Sequence, residues 1–276
     1  MHRIAILDNG SIEFLRKIKG KDISYEMFLK EYDYIIIPRW VWLEVSDSRL
    51  RMEFVDEMKG NGLPIYVLDE VNYLQIVEQE LILLRLFDML IRLYAVLKSY
   101  FRKEIIRGKD YMDVEYLYEE WIEKIYLEWP MSGHEIKSSE GTFRCIKKNA
   151  GELSIAFLVS ILNYSLGSAV EITVLSEDAD CKNCLKVLKE KLKTEKSLNF
   201  ELKYSFKTAD CIYKELAQQN RILENQIDEL IDAFRTEKTL VYTVKKIDNT
   251  TEICEKKICN DDFKIIIKDE KCNVIW

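Results

Sequence analysis

Gly151-Glu152-Leu153-Ser154-Ile155-Ala156-Phe157-Leu158, followed by Val170-Glu171-Ile172-Thr173-Val174-Leu175-Ser176-Glu177-Asp178-Ala179-Asp180, decides the reading of this chain. The first run predicts an apolar helix with an acid in its first turn. The second predicts a buried strand over 171–175 that runs into a turn carrying Asp178 and Asp180. In an open parallel sheet, ligands gather outside the carboxyl ends of the strands. Carboxylates delivered by a strand end and by a neighbouring helix start therefore suit a metal site.

Comparable stretches open the chain. Arg3-Ile4-Ala5-Ile6-Leu7 predicts a strand ending in Asp8, and Asn9-Gly10-Ser11 predicts a turn into a helix. Tyr34-Ile35-Ile36-Ile37-Pro38 predicts a second strand, after which Val41-Trp42-Leu43-Glu44 sets Glu44 on an early helical turn. Gly20 divides 11–31 into two short helices, and 41–59 is amphipathic. Gly60-Asn61-Gly62-Leu63-Pro64 is a turn before a third strand, Ile65–Leu68, and a last core strand is expected near 202–206. Strands alternating with helical patterns predict an α/β fold whose mainly parallel sheet is flanked by helices.

In these stretches the chain resembles the PIN-domain family of metal-dependent nucleases. The resemblance lies in Ile6-Leu7-Asp8-Asn9-Gly10-Ser11, in Ile37-Pro38 followed by Val41-x-x-Glu44, in Gly151-Glu152-x-x-x-Ala156, and in Leu175-Ser176-x-Asp178-x-Asp180. It covers roughly residues 1–70 and 145–220. It implies a discontinuous PIN-like core, 1–69 and 146–235; the helical spacing between these parts reads as an insertion at 70–145, and the β-rich runs after them as a small appendage at 236–276. The resemblance also implies hydrolysis of phosphodiester bonds in single-stranded nucleic acid, RNA foremost. Asp8, Glu44, Glu152 and Asp178 would be the catalytic, metal-binding acids, with Asp180 as a further metal-site acid and Ser176 and Asn9 in support. Clustered carboxylates repel one another unless a cation compensates. Oxygen ligands of this kind suit Mg²⁺ or Mn²⁺ rather than Zn²⁺.

The formal net charge of −7 gives no general basic footprint for nucleic acid. The Lys147-Lys148 pair just before Glu152 is the expected phosphate contact. The acidic surface also suits a basic protein partner, and the helical insertion a homo-oligomer contact. The alternative function is therefore a PIN-like binding or regulatory module that docks proteins without catalysis. No Gly-rich phosphate loop supports a small-molecule reading. Asp210 is a possible outer metal-site residue, with a helix N-cap the stronger expectation.

Met1-His2-Arg3 leads directly into the first strand without a leader pattern, and the apolar stretch 81–97 is interrupted by Arg85, Asp88 and Arg92. No membrane span is expected, and the seven cysteines, odd in number and scattered, suit reduced thiols in the cytoplasm. Cys181-x-x-Cys184 has zinc-ligand spacing but lacks a second compact pair, so a helix start is expected there. His134 is expected in a loop. Apolar residues at helical spacing predict two long helices packed as a hairpin over 70–130, with Tyr118 and Trp121 at a partner, dimer or substrate-gating surface. The tail predicts short strands at 239–244, 263–267 and 273–276.

Overall fold

The computed structural model describes all residues except 109, 138–142, 196, 199, 220–221, 247 and 276, and the side chains of 132–137, 143–146 and 219 are likewise left aside. Lys109 within the expected helical hairpin and Trp276 at the end of the last expected strand lie outside the described residues.

The first half of the core alternates as its sequence does. Strand β1 (His2–Leu7) leads into α1 (Asn9–Lys19) and α2 (Glu26–Leu29), then β2 (Tyr34–Pro38), α3 (Arg39–Val45), α4 (Arg49–Gly60) and β3 (Ile65–Leu68). A helical region follows, with α5 (Leu74–Val77), α6 (Glu80–Leu90), α7 (Ala95–Tyr100) and α8 (Tyr118–Leu127). A hairpin of β4 (Met131–Lys137) and β5 (Phe143–Lys147) returns the chain to the core helix α9 (Ala150–Leu166). Then come β6 (Val170–Leu175), α10 (Ala179–Leu192), β7 (Ser205–Lys207), α11 (Ala209–Gln219) and α12 (Glu224–Phe234). The tail is β8 (Lys238–Lys245), β9 (Thr251–Ile258), α13 (Asn260–Lys268) and β10 (Cys272–Val274).

The core is an all-parallel sheet of order β3-β2-β1-β6-β7. The order reverses direction at β1, so a crevice opens between the carboxyl ends of β1 and β6, which is where such sheets bind ligands. The two strands pair in full register from His2 opposite Val170 to Leu7 opposite Leu175. Asp8 and Ser176 are therefore brought level, although 168 positions separate them.

Helix α9 is buried along nearly its whole length, from Leu153 to Asn163, which explains why it is apolar on every side. Each fully buried Leu, Ile or Phe here contributes about 1.5–3 kcal/mol. Ala150–Ala169 is also long and apolar enough to cross a membrane, yet 72% of its apolar window is buried inside the protein. Its first turn is the exception to this apolarity, and it carries Glu152.

Four expectations are corrected. Residues 70–130 do not form two long helices: α5, α6, α7 and α8 are short, and a 3-10 turn and a π-helical turn (Phe101–Ile105) interrupt them. The first break sits at Glu78, a non-glycine residue with φ 59°, where no helix-breaking residue marks it. Tyr118 and Trp121 are fully buried against Phe87, Phe101 and each other, so they pack the core and offer no partner surface. The run 263–267 lies in α13 instead of a strand, with Phe263 and Ile267 buried at helical spacing and Ile265 exposed. A short apolar run does not distinguish helix from strand by periodicity. His134 falls in β4.

Candidate metal centre

Asp8, Glu44, Glu152 and Asp178 line one cavity of about 410 Å³, together with Asn9, Gly10, Glu177 and Ala179. It lies at the carboxyl ends of β1 and β6. Asp8 and Asp178 are also helix N-caps: Asp8 accepts from the Asn9 amide (2.7 Å) and Asp178 from the Asp180 amide (2.6 Å). Capping and lining the cavity are thus compatible roles. Ser176 joins the two acids, donating to Asp8 Oδ2 (2.8 Å) while its hydroxyl oxygen accepts from the Asp178 amide (3.0 Å).

The glutamates arrive differently. Glu44 stands near the end of the seven-residue α3 and not on an early turn, because α3 stops at Val45 and α4 is a separate helix. It approaches α9 so closely that a Cβ on Gly151 would lie 3.0 Å from its Oε1. Glycine at 151 therefore lets the two helices bring their carboxylates together.

The electrostatics follow from this crowding. Burial, with Asp178 adding to it, pushes Asp8 up to about 6 against the hydrogen bonds from Ser176 and Asn9. Burial, then the charges of Asp8 and Asp47, pushes Glu44 up to about 8. Burial and the neighbouring Glu44 push Glu152 up as well. Without a cation, these acids hold protons they would otherwise release.

No family model matches this chain, and no curated protein or solved structure matches it either.

The donor set is all oxygen, which suits a hard divalent ion. Two of its buried oxygens, Glu152 Oε2 and Asn9 Oδ1, have no hydrogen-bond partner, a vacancy in bonding that a ligand ion would answer. As placed, no group of three His, Cys, Asp or Glu among the described residues closes into a ligand cluster, so an ion would have to draw the acids inward.

Other expected residues fall elsewhere. Asp180 is exposed and accepts from the Asn149 side chain (2.9 Å), one shell outside the cavity. Lys147 lies away from the cavity wall: its Nζ donates to the Leu127 carbonyl (2.7 Å) and sits over the Tyr126 ring. Lys148 is exposed and outside that wall too. Lys147 is the last residue of β5 and Lys148 follows it, and the Lys147 side chain is held against the end of α8, away from the acids. Asp210 is neither cap nor metal-site residue but is fully buried in an ion pair with Arg235 (3.1 Å). Cys181 and Cys184 are buried on α10, and burial pushes both thiols up, Cys184 to about 12.

Glu70 was not foreseen. It is 1% exposed, accepts from the Trp40 amide (3.1 Å) and from Ser154 Oγ, and thereby bridges α3 and α9, the helices that carry Glu44 and Glu152. Burial pushes it up to about 7. Asp69-Glu70 follows β3 as Asp8 follows β1, and that parallel was the available signal.

Proposed function

We propose that the acidic cavity is a Mg²⁺ or Mn²⁺ site of a PIN-like nuclease that hydrolyses single-stranded nucleic acid, RNA foremost. The observation that carries this reading is the convergence of Asp8, Glu44, Glu152 and Asp178 from two distant halves of the chain on one crevice. A divalent ion held by these four acids would supply positive charge for the phosphodiester and for an attacking water. Ser176 orients Asp8 and fixes the Asp178 turn. Gly151 admits Glu44 to the first turn of α9. Glu70 positions the two helices against each other. The scattered cysteines suit a reducing compartment, and we place the activity in the cytoplasm.

A second reading, a PIN-like binding module without catalysis, draws on the absence of a closed three-ligand group among the described residues. One assay separates the two. Labelled single-stranded RNA and DNA are incubated with the protein and Mg²⁺, Mn²⁺ or chelator, beside Asp8→Asn. Cleavage that needs both the ion and Asp8 supports the nuclease. No cleavage and no ion-induced rise in thermal stability would leave the binding module.

A further inference from the structure

A second cavity, of about 310 Å³, opens beside the acidic one, and Gly10 and Glu177 line both. Its other walls come from α1, α11 and the segment joining α12 to β8, which supply Phe14, Lys17, Tyr213, Arg235 and Lys238. Two residues of this lining each carry a buried polar atom without any hydrogen-bond partner: the Tyr213 hydroxyl and Arg235 Nη2. These residues are 1% and 6% exposed. A buried donor left unsatisfied carries the full desolvation cost of its group, so such atoms mark a missing acceptor.

The rest of the Arg235 guanidinium is fixed. Nε donates to Asp210 (3.1 Å), Nη1 donates to the Ile258 carbonyl and to Asn260 Oδ1 (3.1 Å each), and Phe263 lies against its plane at 4.1 Å. Only Nη2 is left to bind something else. Lys238 reaches Glu177 (2.9 Å) and Asp210 (3.6 Å), and Lys17 lies 3.8 Å from Glu13. The acids in this wall, Glu13, Glu177 and Asp210, are each engaged by a cation, Glu13 by Arg16 at 2.8 Å. The unfilled capacity of the wall is therefore donor capacity, from one guanidinium nitrogen and one phenol, flanked by two lysines. A compact anion rich in acceptor oxygens satisfies it, and Arg with Tyr is suited to phosphate.

We propose that this cavity binds a phosphate group, namely that of the nucleotide adjoining the bond held in the acidic cavity. Its role in cleavage rests on the nuclease reading; its affinity for phosphate does not. The wall shared through Gly10 and Glu177 lets one strand occupy both cavities. Lys17, Arg235 and Lys238 then take the part that Lys147 and Lys148 do not.

The test measures binding to the full-length protein in chelator, so that no cleavage occurs. The probes are a labelled single-stranded oligoribonucleotide, a 5′-mononucleotide and inorganic phosphate. Tyr213→Phe removes only the hydroxyl and keeps the ring against Phe14 and Phe263. Lys238→Gln removes a partly exposed charge. Each substitution should weaken binding about tenfold. Tyr213→Phe should leave the melting temperature unchanged or higher, because the lost hydroxyl has no partner. Asp8→Asn should bind at least as tightly as the wild type, since the acidic cavity repels phosphate when no ion is present. Binding of all three probes, sensitive to Tyr213→Phe, assigns the site to a single phosphate; binding of the oligonucleotide alone, equally sensitive, assigns it to a phosphate within a strand. Absence of binding by every probe, or binding indifferent to both substitutions, overturns the proposal. Intact, Tyr213-dependent binding with no cleavage in Mg²⁺ or Mn²⁺ would instead reject the nuclease reading and leave this site standing.

Discussion

Asp8 and Asp178 stand at the ends of β1 and β6, whereas Glu44 and Glu152 stand on α3 and α9, and the two halves of the cavity are built on different principles. The aspartates are tied by short local bonds: each caps a helix, and Ser176 links them. The glutamates are held more loosely, Glu152 by no more than its own backbone amide among the described residues. Glu152 Oε2 is buried without a partner, and Glu44 is pushed up to about 8 by burial and like charge. The sheet end is therefore a scaffold that keeps its shape by hydrogen bonding. The helix pair holds electrostatic strain that a cation would relieve.

The largest expected effect tests whether the halves act as one site. Asp8→Asn keeps the size and an acceptor oxygen but removes ligand charge, and should lower ion-dependent cleavage by about 10²–10³-fold, as loss of one charge-stabilising group does elsewhere. Glu152→Gln should do the same if the acids form a unit. Full cleavage by Glu152→Gln beside a dead Asp8→Asn would detach the helix pair from the chemistry.

Gly151→Ala probes the close approach itself. Alanine favours a helix interior by about 1 kcal/mol over glycine, so α9 should persist. The new Cβ would stand 3.0 Å from Glu44 Oε1 and 3.3 Å from Val41 Cγ2, so Glu44 must move away. Cleavage should drop about tenfold with the melting temperature held, the cost of one misplaced ligand. Unchanged cleavage at saturating and limiting Mn²⁺ would show that Glu44 needs no such approach.

The strain itself is read from stability against pH. A carboxyl whose folded pKa is raised binds more protons when folded, so ion-free stability falls as pH climbs above the ordinary carboxyl range, about 4. The loss continues through about 6 for Asp8 and about 8 for Glu44. A cation needs the ionised acids, so its stabilising shift should grow across the same window, and the rise in melting temperature on adding Mn²⁺ should be larger at pH 8.5 than at pH 5.5. In chelator at pH 8.5, Glu152→Gln should raise stability by about 1 kcal/mol, more than Asp178→Asn does. A pH-independent ion effect would remove the difference between the halves.

How far the sequence could be read follows the same division. Strand ends announce themselves: the short runs before Asp8 and Ser176 are β-rich, so both positions and the parallel sheet were legible. Glu44 was legible as a residue but not in its place, because nothing in Val41–Glu44 says that α3 ends one residue later. The helical region from Glu70 to Leu127 falls into shorter pieces than its pattern suggests because, besides the break around Gly108, it is interrupted at Glu78 and in irregular turns that no glycine or proline marks. Lys147 had the right charge at the right distance along the chain, but the contacts of β5 with α8 direct it elsewhere. Arg235 and Lys238 could not be tied to the site, since only folding brings α12 and β8 beside Gly10.

The smallest expected effect concerns Glu70, which joins the two helices of the glutamate half and lies outside the cavity wall. At pH 5.5 its carboxyl is largely protonated, being pushed up to about 7, so Glu70→Gln is nearly isosteric and should alter stability by no more than about 0.5 kcal/mol. The glutamine oxygen still accepts from the Trp40 amide and Ser154, and α3 and α9 stay joined. As pH rises toward 7 the wild type must ionise a buried group whose Oε2 has no partner, and it loses stability that the variant keeps. The melting temperature of Glu70→Gln relative to wild type, measured in chelator, should therefore climb between pH 5 and pH 7.5 and level off above. Cleavage by the variant should stay within about twofold, since position and not charge is what this residue contributes. Parallel melting profiles would show that Glu70 is already ionised when folded. A large loss of cleavage without loss of stability would place its charge among the acids of the site.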